Sequence, residues 1–266
     1  MALTRQRYRS YQGQARRRFR WRIVVEQEFR VLWQSRLFFI LLLLALAQVL
    51  LRFLQILVHD TIMQDPNHPL YVALNRVDVL TVNAEVLFDF VRLQSPFVLI
   101  LLLYAGAGMI CNDDRNNLLE VYFAKPLTWW DYLFGKTLTL FLLGLAVTGV
   151  PAILLAVAHN IFLPGWETLQ ASYWWGPLAF VFACALVVPT ALVTLAASSL
   201  VQSQRFAVIV VFMLVVMSVV FAGLLADQLR DPNYRIVALP LAINRIGRAL
   251  AGEGFPIIRL HWGWAL

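Results

Sequence analysis

Long apolar blocks separated by short polar segments make up most of the sequence. Five blocks reach or come close to the roughly 20 residues that an α-helix needs to cross a bilayer. They are Leu37–Val58, Ser95–Cys111, Leu133–Ala158, Trp174–Leu200 and Phe206–Ala226. The second block is expected to start earlier, near Ala84, because the residues before it already follow a helical pattern. The pattern predicts an all-α fold, a polytopic bundle of transmembrane helices.

The composition argues against a soluble protein. Of the 266 residues, 61% are hydrophobic and 14% are charged, whereas charged residues make up about 25% of an ordinary soluble domain. A soluble domain of this size could not bury so much apolar surface. A cytosolic enzyme, a disordered tail and a secreted domain are therefore disfavoured.

Residues with the potential for catalysis are sparse. Cys111 and Cys184 stand in or beside apolar blocks and offer neither a disulfide framework nor the spacing of a metal site. Gly135-Lys136-Thr137 resembles the end of a phosphate-binding loop, but position 130, where that loop needs its first glycine, is a tryptophan. Lys136 is interpreted instead as an interfacial residue that extends its ammonium group to water. We expect no catalytic residue, cofactor or metal, and hence no enzyme.

Positive charge is concentrated at the N-terminus. Eight arginines lie between Arg5 and Arg22, and no acidic residue precedes Glu26. Such an arm could bind nucleic acid, but beside a membrane span an anchor on anionic cytoplasmic lipid is favoured. With the N-terminus inside, fourteen Lys and Arg lie inside and six outside, five of these six in residues 227–266. We expect an integral membrane protein with a cytoplasmic N-terminus and no nucleic-acid partner.

Residues 18–36 form an amphipathic stretch before the first span. Glu26 and Arg30 form a favourable i,i+4 pair on its polar face. Its apolar residues recur at helical spacing and are Trp21, Val25, Phe29 and Leu32. The pattern predicts an N-terminal elbow helix that lies in the inner membrane interface. The chain thus divides into residues 1–36, a basic cytoplasmic arm with this helix, and residues 37–266, a transmembrane domain.

The inner connection of residues 112–132 predicts a short helix between the second and third spans. Asp113 is expected to cap this helix and Pro126 to end it, while Thr128 caps the helix that follows. The apolar residues that gather on one side are Leu119, Tyr122 and Phe123. This apolar side either lies among the lipid headgroups or docks onto a cytoplasmic partner.

Several short motifs follow one another in this part of the chain. A glycine-rich helix end precedes an acidic-basic turn, a Leu-Glu-x-Tyr helix, a Lys-Pro-Leu-Thr step and the start of the next helix. These motifs are Gly106–Gly108, Asp113–Asn117, Leu119–Tyr122, Lys125–Thr128, Asp131-Tyr132 and Gly135-Lys136. Together they resemble the membrane subunits of type-2 ABC transporters, the ABC-2-like permeases. The elbow helix and the order of the spans extend the resemblance over most of the chain.

The resemblance implies a permease subunit of an ATP-binding cassette transporter, an exporter in the inner membrane of a bacterium. ATP would bind to a separate cytoplasmic ATPase subunit, and a second permease subunit, identical or different, would complete a dimer. The segment from Asp113 to Lys125 would be the coupling helix that receives the ATPase's motion, with Ser198–Arg205 as a lesser contact. The ATPase-coupling residues are expected to be Asp113, Asp114, Arg115, Leu119, Glu120, Tyr122 and Phe123.

Two other functions compete with transport. A membrane scaffold would use the same inner helix to hold a cytoplasmic partner without moving a substrate. An integral membrane enzyme should have reactive polar residues clustered at one interface, and the sequence indicates none. The family normally has six spans, and residues 261–266 look like the start of a sixth, so we expect the sixth span to be missing from this chain.

Polar residues are expected to cluster in the outer half of the membrane. Those on one face of the first span are Gln48, Arg52 and Gln55, and those at the outer end of the second helix are Glu85, Asp89 and Arg92. Because charge inside a membrane is usually paired, we predict that Arg52 approaches Asp89 or Glu85. The alternative is that Arg52 extends to the outer headgroups.

The outer segment of residues 227–262 is predicted to contain one short amphipathic helix. Apolar residues with a spacing of three to four cover Pro240–Leu250, and Gly252 and Gly254 would end the helix. A structural cap is the favoured role, and a lid over an exit path is the alternative.

Overall fold

The computed structural model describes residues 19–63, 84–124, 127–162, 165–229, 234 and 237–250. In this part of the chain the backbone forms eleven helices and no strand, which confirms the predicted all-α fold. The helices are α1 (Trp21–Trp33), α2 (Arg36–Met63), α3 (Ala84–Gly106), α4 (Cys111–Arg115), α5 (Leu118–Phe123), α6 (Trp129–Val147), α7 (Gly149–Phe162), α8 (Trp166–Ser172), α9 (Trp175–Leu200), α10 (Gln204–Gln228) and α11 (Leu239–Leu250).

Five helical segments are long and apolar enough to cross a membrane. They are Arg36–Ile62, Val86–Arg115, Trp129–Phe162, Trp175–Leu200 and Gln204–Gln228. Each contains one predicted apolar block, and α3 begins at Ala84, the predicted earlier start of the second block. The arginine-rich arm before Phe19, the glycines after Leu250 and the proposed start of a sixth span lie outside the described residues.

The elbow helix is present as α1, and its predicted apolar side faces the bundle. Val24 and Leu32 are buried, Val25 and Phe29 are half-buried, and Ile23 on the opposite side is exposed. The predicted Glu26–Arg30 pair forms at 3.5 Å on the polar face. The buried side of α1 packs mainly against α6.

Helix α9 lies at the centre of the bundle and packs against α3, α6, α7, α10 and α11. Small residues allow this close packing, as is common where transmembrane helices meet. A Cβ atom on Gly144 of α6 would lie 2.5 Å from Val187 Cγ1 of α9, and one on Gly106 of α3 would lie 2.7 Å from Leu140. Gly106 and Gly144 are therefore close-packing residues of the bundle.

In the described part of the chain five helical segments cross the bundle, so their connections alternate between two ends. Helices α1, α4 and α5 lie at one end, called the α4 end, and α8 and α11 lie at the other, called the α11 end. The outer amphipathic helix is present as α11, close to its predicted bounds. It packs against α3, α9 and α10. Its role as a cap or a lid stays a prediction.

Replacement of Gly144 by alanine should destabilise the bundle. The added methyl group would overlap the Val187 side chain, and such overpacking typically costs about 1–3 kcal/mol. We expect a lower thermal unfolding midpoint in detergent, partly restored by Val187→Ala in the same chain. Gly223→Ala is the matched control because a Cβ atom there has no neighbour within 4 Å. An equal loss in both single variants would contradict the packing explanation.

Candidate functional site at the α4 end

A buried lysine links three helices at the α4 end. Lys136 of α6 is 0% exposed. Its Nζ atom lies 2.5 Å from Glu28 Oε1 of α1, 2.7 Å from Asp113 Oδ2 of α4, and 3.0 Å from the carbonyl oxygen of Met109. An ammonium group has three N–H donors, and three acceptors surround it here. We call Glu28, Asp113, Lys136 and Tyr132, whose ring and hydroxyl join the group, the Lys136 cluster.

The interpretation of Lys136 as a residue that extends to water was wrong. Its side chain is 1% exposed, against 14% for Glu28 and 11% for Asp113. The reason is that two carboxylates compensate the ammonium charge inside the protein, which removes the drive to reach water. Lys136 also lies 5.3 Å from the centre of the Tyr132 ring.

Asp113 does not cap a helix, contrary to the prediction. Helix α4 begins at Cys111, so Asp113 falls inside its first turn and points inward, where it accepts a hydrogen bond of 2.9 Å from the Tyr132 hydroxyl. Ser198 near the end of α9 provides the capping contacts instead. Its Oγ atom accepts hydrogen bonds from the N–H groups of Ile110 at 3.1 Å and Cys111 at 3.2 Å.

The predicted single inner helix is divided in two. Asn117 separates α4 from α5 and has a φ of 53°, in the left-handed region. Asparagine tolerates this conformation better than most residues, because its short polar side chain can bond locally. The chain therefore changes direction between the acidic-basic turn and the Leu-Glu-x-Tyr helix.

Helix α5 presents a different apolar side from the one predicted. Leu119 and Tyr122 are half-buried against the chain itself, and the Tyr122 ring lies 5.7 Å from that of Tyr132. Leu118 and Val121 are the more exposed, at 37% and 54%. The polar residues around them, Asp114, Arg115 and Glu120, are exposed, and the Phe123 side chain lies outside the described set.

The position of Tyr122 beside the Lys136 cluster shifts the pKa of its hydroxyl group. Burial raises the pKa of the Tyr122 hydroxyl above its ordinary value, and the negative charge of Asp113 adds to the rise. The hydroxyl therefore stays neutral across the physiological range, and Tyr122 acts as an uncharged packing residue.

The start of α6 is fixed by a capping box. Thr128 Oγ1 accepts a hydrogen bond from the Asp131 N–H at 3.2 Å, and Asp131 Oδ2 accepts one from the Thr128 N–H at 3.3 Å. The predicted cap at Thr128 is thus confirmed. One turn later, Gly135 allows α1 to approach, because a Cβ atom there would lie 2.8 Å from Val24.

The two connections at the α4 end, α3–α6 and α9–α10, form one groove. A cavity of about 680 Å³ lies between the end of α4 and the turn that joins α9 to α10. Its lining residues are Asp114, Arg115, Val201, Gln202, Ser203 and Phe206. The sequence named Ser198–Arg205 as a lesser contact, and the structure places this segment directly beside the acidic-basic turn.

Comparison with known proteins identifies the family. Residues 22–236 match the family described as "ABC-2 family transporter protein". The chain belongs to the ABC-2 transporter family. No match was found among curated proteins or among solved structures. The matched region contains the Lys136 cluster and both connections at the α4 end. Together with the five helices that are apolar enough to cross a membrane, the family match makes this ABC-2 protein an integral membrane permease component of an ABC transporter.

The polar residues predicted to cluster in the outer half of the membrane form contacts within their own helices in this ABC-2 protein. Arg52 donates a hydrogen bond of 2.7 Å to Gln55 Oε1, and Arg92 lies 3.6 Å from Asp89. The predicted approach of Arg52 to Asp89 or Glu85 stays a prediction. Gln48 is half-buried, and the Glu85 side chain lies outside the described set.

Sequence reasoning missed a second buried cluster, located toward the α11 end. Asp60 of α2 is 0% exposed and lies between two imidazoles, 2.9 Å from His59 Nδ1 and 2.7 Å from His159 Nδ1 of α7. The His159 ring stacks on Trp175 of α9 at 5.4 Å. The available signal was Asp60, an acidic residue at the end of an apolar block. Because an unpaired carboxylate near the membrane is costly, its position indicated that a partner side chain lies close by.

Removal of the Lys136 charge should destabilise this ABC-2 protein strongly. Lys136→Met would leave Glu28 and Asp113 buried without a cation, which typically costs about 3–5 kcal/mol. We expect a large fall in the thermal unfolding midpoint in detergent. Neutralising both carboxylates in the same chain, with Glu28→Gln and Asp113→Asn, should recover part of it.

The matched control for this prediction is Arg30→Met. It breaks the Glu26 ion pair, whose side chains are 66% and 68% exposed, and exposed pairs contribute at most about 1 kcal/mol. A midpoint for Lys136→Met equal to that of Arg30→Met would show that the buried cluster does not hold the helices together.

Proposed function

We propose that this protein is the permease subunit of an ABC exporter, driven by a separate ATPase subunit that docks at the α4 end. The observation that carries the proposal is that both inner connections line one groove. This groove lies at the end of α4, and α4 is linked to the second, third and fourth spans. The ATPase would contact α5 and the groove, and ATP would be hydrolysed on the ATPase alone.

A docking ATPase can move transmembrane helices only through a rigid contact. Here Asp113 ties α4 to α1 and α6 through Lys136, and Ser198 ties the start of α4 to α9. A force applied to α4 and α5 would therefore reach the second, third and fourth spans together. This arrangement favours a coupling role over an isolated helix that lies among the headgroups.

The docking surface proposed here has an apolar centre and a charged rim. Leu118 and Val121 supply the exposed apolar area. Tyr122 and Phe123 are proposed as further packing anchors next to them in the chain. Interfaces typically concentrate their binding energy in a few such central side chains, with polar residues around them. Asp114, Arg115 and Glu120 would form the rim and orient the ATPase, with Leu119 supporting the helix from within.

A second permease subunit would complete the transporter. Helices α2 and α10 expose most of their apolar surface, which is available for lipid and for another subunit. The positive charge of the α4 end and the arm before it favours a cytoplasmic N-terminus. We propose the inner membrane of a bacterium as the location, and export as the direction, from the family likeness.

Weakening the centre of the docking surface should release the ATPase. We expect Leu118→Ala with Val121→Ala to lower ATPase binding by about 30-fold or more, the loss that two hot-spot contacts of ~1 kcal/mol each produce. Tyr122→Ala with Phe123→Ala should act in the same direction. The measurement is co-purification with the ATPase, which is expected to be encoded by a neighbouring gene with a phosphate loop and an ABC signature.

The matched control is Leu154→Ala with Val157→Ala on α7. These residues have the same types and spacing and are 61% and 48% exposed, but they lie on the bilayer-facing side of a span. Wild-type ATPase binding by the α5 variants would reject this docking surface. If the α5 variants lose ATPase binding but the wild-type permease and ATPase together transport nothing, a membrane scaffold would be favoured.

The proposed orientation predicts which positions are reached from each side of the membrane. A single cysteine at Arg115 should react only with reagents that enter the cytoplasm, and one at Tyr173 should react from outside. Both positions are exposed, and the native Cys111 and Cys184 are first replaced by serine. Labelling of Arg115→Cys in intact cells by a reagent that does not cross the membrane would invert the assignment.

A further inference from the structure

A cavity opens between four helices in the half of the bundle nearest the α11 end. It has a volume of about 430 Å³ and lies between α3, α9, α10 and α11. Leu99, Leu186 and Val215 are among its apolar walls, and Phe182 lies below α11. This volume falls within the roughly 300–1,000 Å³ of small-molecule sites in proteins.

The polar groups of the cavity are unevenly distributed. Arg92 lies toward the α11 end, and Leu99 lies two turns further into the bundle, about 10 Å along α3 at 1.5 Å per residue. The deeper Thr190 hydroxyl already donates a hydrogen bond of 2.7 Å to the carbonyl oxygen of Leu186. The deep part of the cavity is therefore effectively apolar.

Hydrogen-bonding capacity remains at the Arg92 end. The Arg92 guanidinium has five N–H donors, and its ion pair with Asp89 at 3.6 Å uses only part of them. The Arg92 side chain is 54% exposed, so it can meet a ligand at the rim. Asn244 of α11 and Ser95 add neutral polar groups to the lining.

We propose that this cavity binds one acyl chain of an anionic membrane phospholipid, with the lipid phosphate at Arg92. The cavity lies among transmembrane helices, where acyl chains surround the protein. Its charged end lies toward the α11 end and its apolar end lies deeper in the bundle. A lipid in the leaflet at the α11 end has its headgroup and acyl chain in the same order. Arginine matches phosphate by paired hydrogen bonds. An anionic phospholipid is preferred over a zwitterionic one because its headgroup has no cation to oppose the Arg92 charge. This site is independent of the proposed ATPase docking.

The test uses the full-length protein in phosphatidylcholine vesicles that contain phosphatidylglycerol with a photoreactive group in mid-chain. After irradiation, mass spectrometry measures the lipid attached to cavity-lining peptides. Val215→Trp should fill the cavity and lower this labelling by about tenfold, the effect of displacing two methylene groups. Leu241→Trp fills the cavity from α11 and provides a second test if Val215→Trp does not fold.

The control is Val216→Trp, an identical change at the next residue of α10, whose side chain is 39% exposed and does not line the cavity. It should leave the labelling unchanged. Equal labelling in wild type and both cavity-filling variants, or an equal loss in Val216→Trp, would overturn the proposal.

The headgroup assignment has its own measurement. Arg92→Gln should reduce the preference for photoreactive phosphatidylglycerol over photoreactive phosphatidylcholine to near equality, while chain labelling by phosphatidylcholine persists. Asp89→Asn, which removes the competing carboxylate, should keep or increase the preference. An unchanged preference in Arg92→Gln would overturn the placement of the phosphate at this residue.

Discussion

Lys136 is a cation without access to water, held by carboxylates from two other helices. Taking three charges out of water is expensive, and their mutual attraction compensates only when the geometry is good. Here the ammonium group has an acceptor for each of its donors, at 2.5, 2.7 and 3.0 Å. Because all three contacts require α1, α4 and α6 to lie close around Lys136, the cluster constrains how these helices meet.

The rest of the α4 end follows from that arrangement. With Asp113 turned inward, the Ile110 and Cys111 N–H groups need another acceptor, and Ser198 of α9 supplies it. The turn after α9 is thereby drawn against α4, and the groove forms between them. Tyr132 adds its hydroxyl to Asp113 and its ring to Tyr122, which supports α5 from below. The proposed docking surface thus stands on bonded contacts to several spans rather than on a loose loop.

Local sequence patterns predicted the helices but not their long-range contacts. The five spans, α1, α11 and the Thr128 cap depend on residues within one or two turns of each other, so periodicity and capping rules suffice for them. The Lys136 cluster depends on Glu28, which is 108 residues away in the chain. A lysine at the start of an apolar block satisfies the snorkelling pattern equally well, and only the fold shows which partners surround it. Asn117 also had a local signal, since asparagine tolerates the left-handed conformation. It ends a run of polar residues, 112–117, in which apolar spacing could not show where one helix ends and the next begins.

The third span is much longer than a bilayer requires. Trp129–Phe162 contains 34 residues, about 51 Å of helix at 1.5 Å per residue, against a hydrocarbon core of about 30 Å. Roughly four turns must therefore stand in the interfacial layers or beyond them, unless the helix tilts. Thr148 divides the span into α6 and α7, so each half can tilt on its own. The height of the α4 end above the membrane is consequently set by α6 and the helices bonded to it. A change in bilayer thickness would alter how much of α6 is exposed to water. It would not alter the shape of the surface proposed for the ATPase.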